Sequence, residues 1–125
     1  MKRNLSFAII IGIVFSIMTG CVVRNKSSAH NTIKEGTEIS DIYTYNVEDD
    51  FKRMKLEINL TLNKGKVKFE LKDPNGNIQW SEEVTTDKAL KEIKSFDKVV
   101  GEWTLTFENI DNTGEGEFDL QFNRL

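Results

Sequence analysis

From Met54 to Leu62 the chain alternates without a break. Met54, Leu56, Ile58, Leu60 and Leu62 are apolar, and Lys55, Glu57, Asn59 and Thr61 between them are polar. Successive side chains of a strand point to opposite faces, so a period of two describes a strand with one buried and one wet face. Val67, Phe69 and Leu71 repeat the pattern against Lys66, Lys68, Glu70 and Lys72. With Asn63, Lys64 and Gly65 as a short connection, the two runs are predicted to form a hairpin.

The same period recurs along the chain. Asp73-Pro74-Asn75-Gly76-Asn77 is its clearest turn, since Pro74 presets φ for the first turn position and Gly76 accepts a positive φ. Ile78, Trp80 and Val84 then face inward from a returning strand. Gly101 opens another strand, with Trp103, Leu105 and Phe107 apolar against Thr104, Thr106 and Glu108. The loop from Asn109 to Gly116 leads to a last strand carrying Phe118, Leu120 and Phe122, and a less regular strand runs from about Thr37 to Val47. Asp87 to Phe96 reads differently: Leu90, Ile93 and Phe96 recur every three residues, which favours a short helix or an irregular crossover. Six or seven strands at spacings near ten residues, with turn signals between them, predict an all-β chain folded as an antiparallel β-sandwich.

The first 21 residues are of another kind. Lys2 and Arg3 form a cationic head, an apolar stretch runs from Leu5 to Met18, and the small residues Thr19 and Gly20 precede Cys21, the one cysteine of the chain. That order is a secretory signal with a small-residue cleavage site. The apolar run is shorter than the roughly 20 residues a membrane-crossing helix needs. Ile17-Met18-Thr19-Gly20-Cys21 resembles the lipobox of bacterial lipoproteins, with Met18 where leucine is commonest. The resemblance implies that the Cys21 thiol takes a diacylglyceryl group and becomes the mature N-terminus. The protein would then sit on the extracytoplasmic face of the cell membrane, its partner there being the bilayer reached through the lipid anchor.

Three segments follow: a signal peptide at 1–20, a flexible tether at 21–35 and a β-sandwich domain at 36–125. Without residues 1–20, the 125-residue chain leaves 105, enough for one domain. Taking Lys2 and Arg3 from the 17 basic residues leaves 15 against 20 acidic ones, a net charge of −5. A mildly acidic domain argues against nucleic acid as a partner. Val22 to Glu35 is polar, and its His30, the lone histidine, reads as a solvated side chain rather than a metal ligand or general base.

Several residues invite a chemical reading. Trp80 and Trp103 are sugar-stacking candidates, yet both fall on the apolar face of their strands and read as core. Tyr43 and Tyr45 are the preferred aromatic residues for a binding surface, because their irregular strand is a candidate sheet edge. Glu48-Asp49-Asp50 and the run Asp111 to Glu117 offer hard oxygen ligands of the kind calcium prefers. The second run fails as an EF-hand, because Phe122 stands where a bidentate Glu is required. No metal site, cofactor or catalytic residue is assigned. There is no second histidine and no Gly-x-Ser-x-Gly elbow, and Glu82, the one acid at inward parity, is more simply structural.

Val67-Lys68-Phe69-Glu70-Leu71-Lys72-Asp73-Pro74-Asn75-Gly76, Gly101-Glu102-Trp103-Thr104-Leu105 and Gly114-Glu115-Gly116-Glu117-Phe118 together resemble bacterial sandwiches of the pre-peptidase C-terminal type. The resemblance spans roughly residues 54–123 and implies a jelly-roll-like fold of about seven strands. It carries no metal site over, because the segment before the first strand holds only Glu35 and Glu38. The function expected is a lipid-anchored binding or accessory module without catalytic activity, meeting an envelope protein or a surface glycan. The alternative is a small envelope enzyme or inhibitor that uses its acidic loops, with or without calcium.

Overall fold

In the computed structural model, residues 22–25 and 27–125 are described, the first four as backbone only. Cys21 and the signal segment lie outside the described residues. Among the described residues nine strands follow one another: β1 (Val22–Asn25), β2 (Ser28–Ile33), β3 (Asp41–Val47), β4 (Arg53–Lys64), β5 (Lys66–Lys72), β6 (Ile78–Thr85), β7 (Leu90–Asp97), β8 (Gly101–Asn109) and β9 (Glu115–Arg124). The alternation of β4 becomes a buried row of Met54, Leu56, Ile58, Leu60 and Leu62 facing the second sheet.

One sheet has the order β1-β3-β8-β5-β6 and the other β2-β9-β4-β7. From β2 onward each strand crosses to the opposite sheet, except that β5 and β6 are neighbours. This is the connectivity of a jelly roll, two interlocked antiparallel sheets, as expected. β1 joins the edge of β3 in parallel, pairing Val22 with Asp41 and Asn25 with Thr44.

Aromatic rings fill the centre. Phe107 stacks on Phe118 with centroids 4.2 Å apart, and Tyr43 meets both rings edge-on. Trp103 is wholly buried, and its Nε1 donates to the Val99 carbonyl at 2.8 Å. Where the edges β6 and β7 face each other, Trp80 and Phe96 close the core, and Lys94 Nζ lies 4.9 Å from the Trp80 ring centroid. At the other seam Asn31 of β2 donates to Asp41 Oδ2 and Tyr43 Oη of β3, at 3.0 and 3.2 Å.

Three expectations are corrected. β4 and β5 are not a hairpin: both margins of β4 are taken by β9 and β7, and both margins of β5 by β8 and β6. Gly65 between them turns the corner from one sheet to the other at φ +70°, where a Cβ would stand 2.2 Å from the Thr113 carbonyl oxygen. Residues 90–97 are strand β7 rather than a helix or an irregular crossover, with Leu90 and Phe96 buried and Ile93 on the outer face, 57% exposed. Residues 28–33, assigned to the tether, form β2 along the full length of a β9 pairing from Ser28–Gln121 to Ile33–Gly116. Two smaller differences remain: β3 starts at Asp41 rather than Thr37, and Ile78, beside the register shift at Lys72, faces solvent.

The loops gather at two ends. Loops 34–40, 86–89 and 110–114 and the Gly65 corner share one end, and loops 48–52, 73–77 and 98–100 the other. At the first end Asn109 ties the loops together. Its Nδ2 faces the carbonyls of Thr37, Gly114 and Lys34 at 2.9, 3.2 and 3.3 Å, and its Oδ1 accepts from Gly114 N at 2.6 Å.

Candidate functional site

The outer face of the β2-β9-β4-β7 sheet carries a cross-strand group of unburied polar side chains with defined geometry. Strand pairing fixes its rows. His30, Asp119, Asn59 and Lys91 lie across the four strands in one row, and Ser28, Gln121, Glu57 and Ile93 in the next. These residues have the opposite parity to the buried Ile58, Leu60, Phe118 and Leu120, so they face outward.

His30 Nδ1 is 2.6 Å from Asp119 Oδ1, and its Nε2 is 3.9 Å from Glu117 Oε2. Asn59 Nδ2 donates to Glu57 Oε2 at 3.3 Å, while Asn59 Oδ1 is buried without a hydrogen-bond partner. Two open depressions follow the face. One of about 470 Å³ is lined by Ser28, His30, Glu57, Asn59, Asp119 and Gln121. The other, of about 670 Å³, is lined by residues including Thr32, Glu35, Thr61, Glu115 and Glu117. The arrangement offers hydrogen-bond acceptors, a few donors and negative charge, and no Phe, Tyr or Trp side chain faces out from these four strands.

The aromatic candidates lie elsewhere. Tyr43 is core, 1% exposed, and Tyr45 stacks on Phe122 at 4.9 Å, so neither forms a binding surface. Their strand is not a fully open edge, because β1 covers the margin of β3 from Asp41 to Thr44. Burial pushes the Tyr45 phenol above its ordinary pKa, against the pull of the Arg124 charge. Trp80 and Trp103 are core, as their parity indicates.

The acidic loops are engaged with cations. Asp49 meets Lys98 Nζ at 3.4 Å, Asp50 meets Arg124 Nη2 at 2.7 Å, and Glu115 lies 3.8 Å from Lys64 Nζ. Asp111 and Asn112 hold left-handed backbone, φ 52° and 54°, which these two residue types tolerate in tight turns. Among the described residues no three His, Cys, Asp or Glu side chains come together to hold a metal. Glu82 is half-buried and accepts a hydrogen bond from Trp80 Nε1 at 2.6 Å, a structural use of the inward-parity acid.

His30, expected to be solvated in a flexible segment, is half-exposed on a strand and fixed by Asp119. The parity of Glu57, Asn59, Glu117 and Asp119 marks them as outward in the sequence. The pairing that lines them up with His30 depends on β2, which carries no apolar alternation of its own.

No protein-family profile matches the chain, and no curated sequence matches it. Solved structures do match. The pre-peptidase C-terminal domain of a collagenase from Bacillus anthracis superposes with a TM-score of 0.55 at 17% identity, over 82% of this chain and 91% of that one. PirA gives 0.49 at 13% identity, over 80% and 96% of the two chains. The CBM22-1 xylan-binding domain of Xyn10C from Paenibacillus barcinonensis gives 0.38 at 16%, over 78% and 70%. The likeness to the collagenase domain is one of fold and agrees with the sandwich resemblance read from the turns and core residues.

Proposed function

We propose that this chain is a lipid-anchored binding or accessory module on the extracytoplasmic face of a bacterial membrane, without catalytic activity. The observation that carries the reading is Ile17-Met18-Thr19-Gly20-Cys21 behind Lys2, Arg3 and an apolar run too short to span a bilayer. Two acyl chains hold a protein firmly where one holds it marginally, at about 0.8 kcal/mol for each buried CH₂. The jelly roll suits display: its core is closed by aromatic rings, and its outer face from His30 to Lys91 presents fixed polar groups. Such a face fits a partner rich in hydrogen-bond donors, either a surface glycan or an envelope protein. A net charge of −5 outside the signal segment disfavours nucleic acid.

Crosslinking in intact cells tests the binding part. The tagged protein is expected to capture one dominant envelope protein or cell-wall glycan. Asp119→Ala is expected to weaken that capture about tenfold at unchanged melting temperature, since a charge-assisted hydrogen bond contributes about 1.5–3 kcal/mol. Capture that is indifferent to Asp119→Ala and to Glu57→Ala would move the binding surface off this face. A catalytic turnover of the captured material would contradict the reading.

A further inference from the structure

We infer that the domain stands on the membrane on one end of its sandwich, the end of loops 34–40, 86–89 and 110–114, with no free tether beneath it. The inference rests on acylation of Cys21 and falls with it. Val22, the residue after Cys21, begins β1 and is paired with Asp41, the first residue of β3. Neighbouring Cα atoms are about 3.8 Å apart, so a lipid on Cys21 starts one residue from the margin of the folded sheet. β1 runs parallel to β3, from Asp41 toward Thr44, so the chain leaves this end and climbs along the sheet. β2 then carries it into the second sheet. A 15-residue tether would let the domain tumble above the bilayer. Two strands built into the sandwich leave it seated.

The seated end is a firm base. Asn109 binds three of its loop carbonyls, Gly36 N donates to the Asn112 carbonyl at 2.8 Å, and the Gly65 corner packs against Thr113. Charges within it are mixed rather than cationic: Lys34 and Lys88 stand beside Glu38, Asp87 and Asp111, and Lys64 Nζ lies 3.3 Å from Glu35 and 3.8 Å from Glu115. The acyl chains, not attraction to anionic headgroups, therefore hold it, and membrane binding is expected to be unchanged by added salt. The 12 residues of β4 make the sandwich about 40 Å tall, which sets the distance of the opposite end from the bilayer. That opposite end carries Ile78, Val100 and Leu125, three of the four large apolar side chains exposed among the described residues.

Cys21 is the one cysteine, and its acylation leaves the chain free for single labels. Four exposed loop positions serve: Glu38→Cys and Asp87→Cys at the seated end, Glu48→Cys and Asn75→Cys at the opposite end. Each lipidated, nitroxide-labelled variant is placed in vesicles of phosphatidylethanolamine and phosphatidylglycerol doped with a nickel-chelating lipid. Thermal melts check that each one is folded. Strong relaxation by nickel is expected at positions 38 and 87, and only background at 48 and 75. Equal relaxation at all four, or stronger relaxation at 48 and 75, would overturn the seating. The intact mass of the same samples separates the two readings. Acylated protein with equal relaxation refutes the seating alone, whereas unacylated protein refutes both.

Discussion

Gly65 and Gly76 both hold a positive φ, yet they answer to different constraints. At Gly76 a Cβ would meet nothing within 4 Å, so only the backbone conformation favours glycine. Gly76→Ala is expected to cost about 1–2 kcal/mol, the strain of a left-handed alanine. Gly65→Ala adds to that strain a contact with the Thr113 carbonyl, whose residue is held by Ile110 through both its N–H and its hydroxyl. Urea melts of the two variants should show Gly65→Ala as clearly the more destabilised; equal losses would mean that the corner yields. Asp73 fixes the neighbouring turn in a different way. Burial opposes its charge, but hydrogen bonds from the Gln79 side chain and from the backbone of Asn77 and Asn75 outweigh that and hold its pKa below the ordinary value. A carboxylate depressed by folding stabilises the fold above its unfolded pKa of about 3.9, and that contribution is lost as pH falls through the lower folded value. Melting temperature should therefore fall more steeply below about pH 4 in the wild type than in Asp73→Asn, which has no charge to lose.

At the scale of elements, legibility followed the strength of alternation. β4, β5, β8 and β9 each bury an unbroken row at one parity, and each is visible in the sequence from its apolar residues alone. β7 hides its period. Its inward positions 92 and 94 are Glu and Lys, exposed because the strand forms the edge of its sheet, so only Leu90 and Phe96 remain as apolar marks, with Ile93 on the wrong face. Charged residues at inward positions of an edge strand discourage pairing with another sheet, which explains why the pattern is broken there. Phe96→Ala should cost about 3–5 kcal/mol, while Ile93→Lys should stay within about 0.5 kcal/mol of wild type. A helix would bury both residues on one stripe, and comparable losses in both variants would support it. β2 was not legible because its outward residues and its inward Asn31 are polar, and its place depends on β9 rather than on its own propensity. The connection of β4 to β5 was misread for a similar reason. A short Gly-containing link describes a sharp turn, but whether the chain returns within one sheet or crosses to the other is decided by which strands occupy the margins.

Across the whole molecule, fold and placement are separate questions. The jelly roll follows from alternation, turn residues and a core that includes Trp103 and Phe118, and it is a scaffold compatible with many tasks. The polar face through His30, Asn59 and Asp119 was only half legible: parity exposes its residues, but cross-strand register assembles them. The proposed placement at the membrane rests on Lys2, Arg3 and the five residues ending in Cys21. In that proposal anchor and scaffold meet at Val22, one residue past Cys21 and already paired with Asp41. Whether Cys21 carries a lipid is read from the intact mass of the protein from membrane and soluble fractions of cells expressing the wild type or Cys21→Ser. Expected are a wild-type species that begins at Cys21, carries a diacylglyceryl group and sediments with membranes, and a Cys21→Ser species that carries no lipid and leaves them. A wild-type protein without lipid, or a Cys21→Ser protein that remains acylated, would contradict the proposed anchoring.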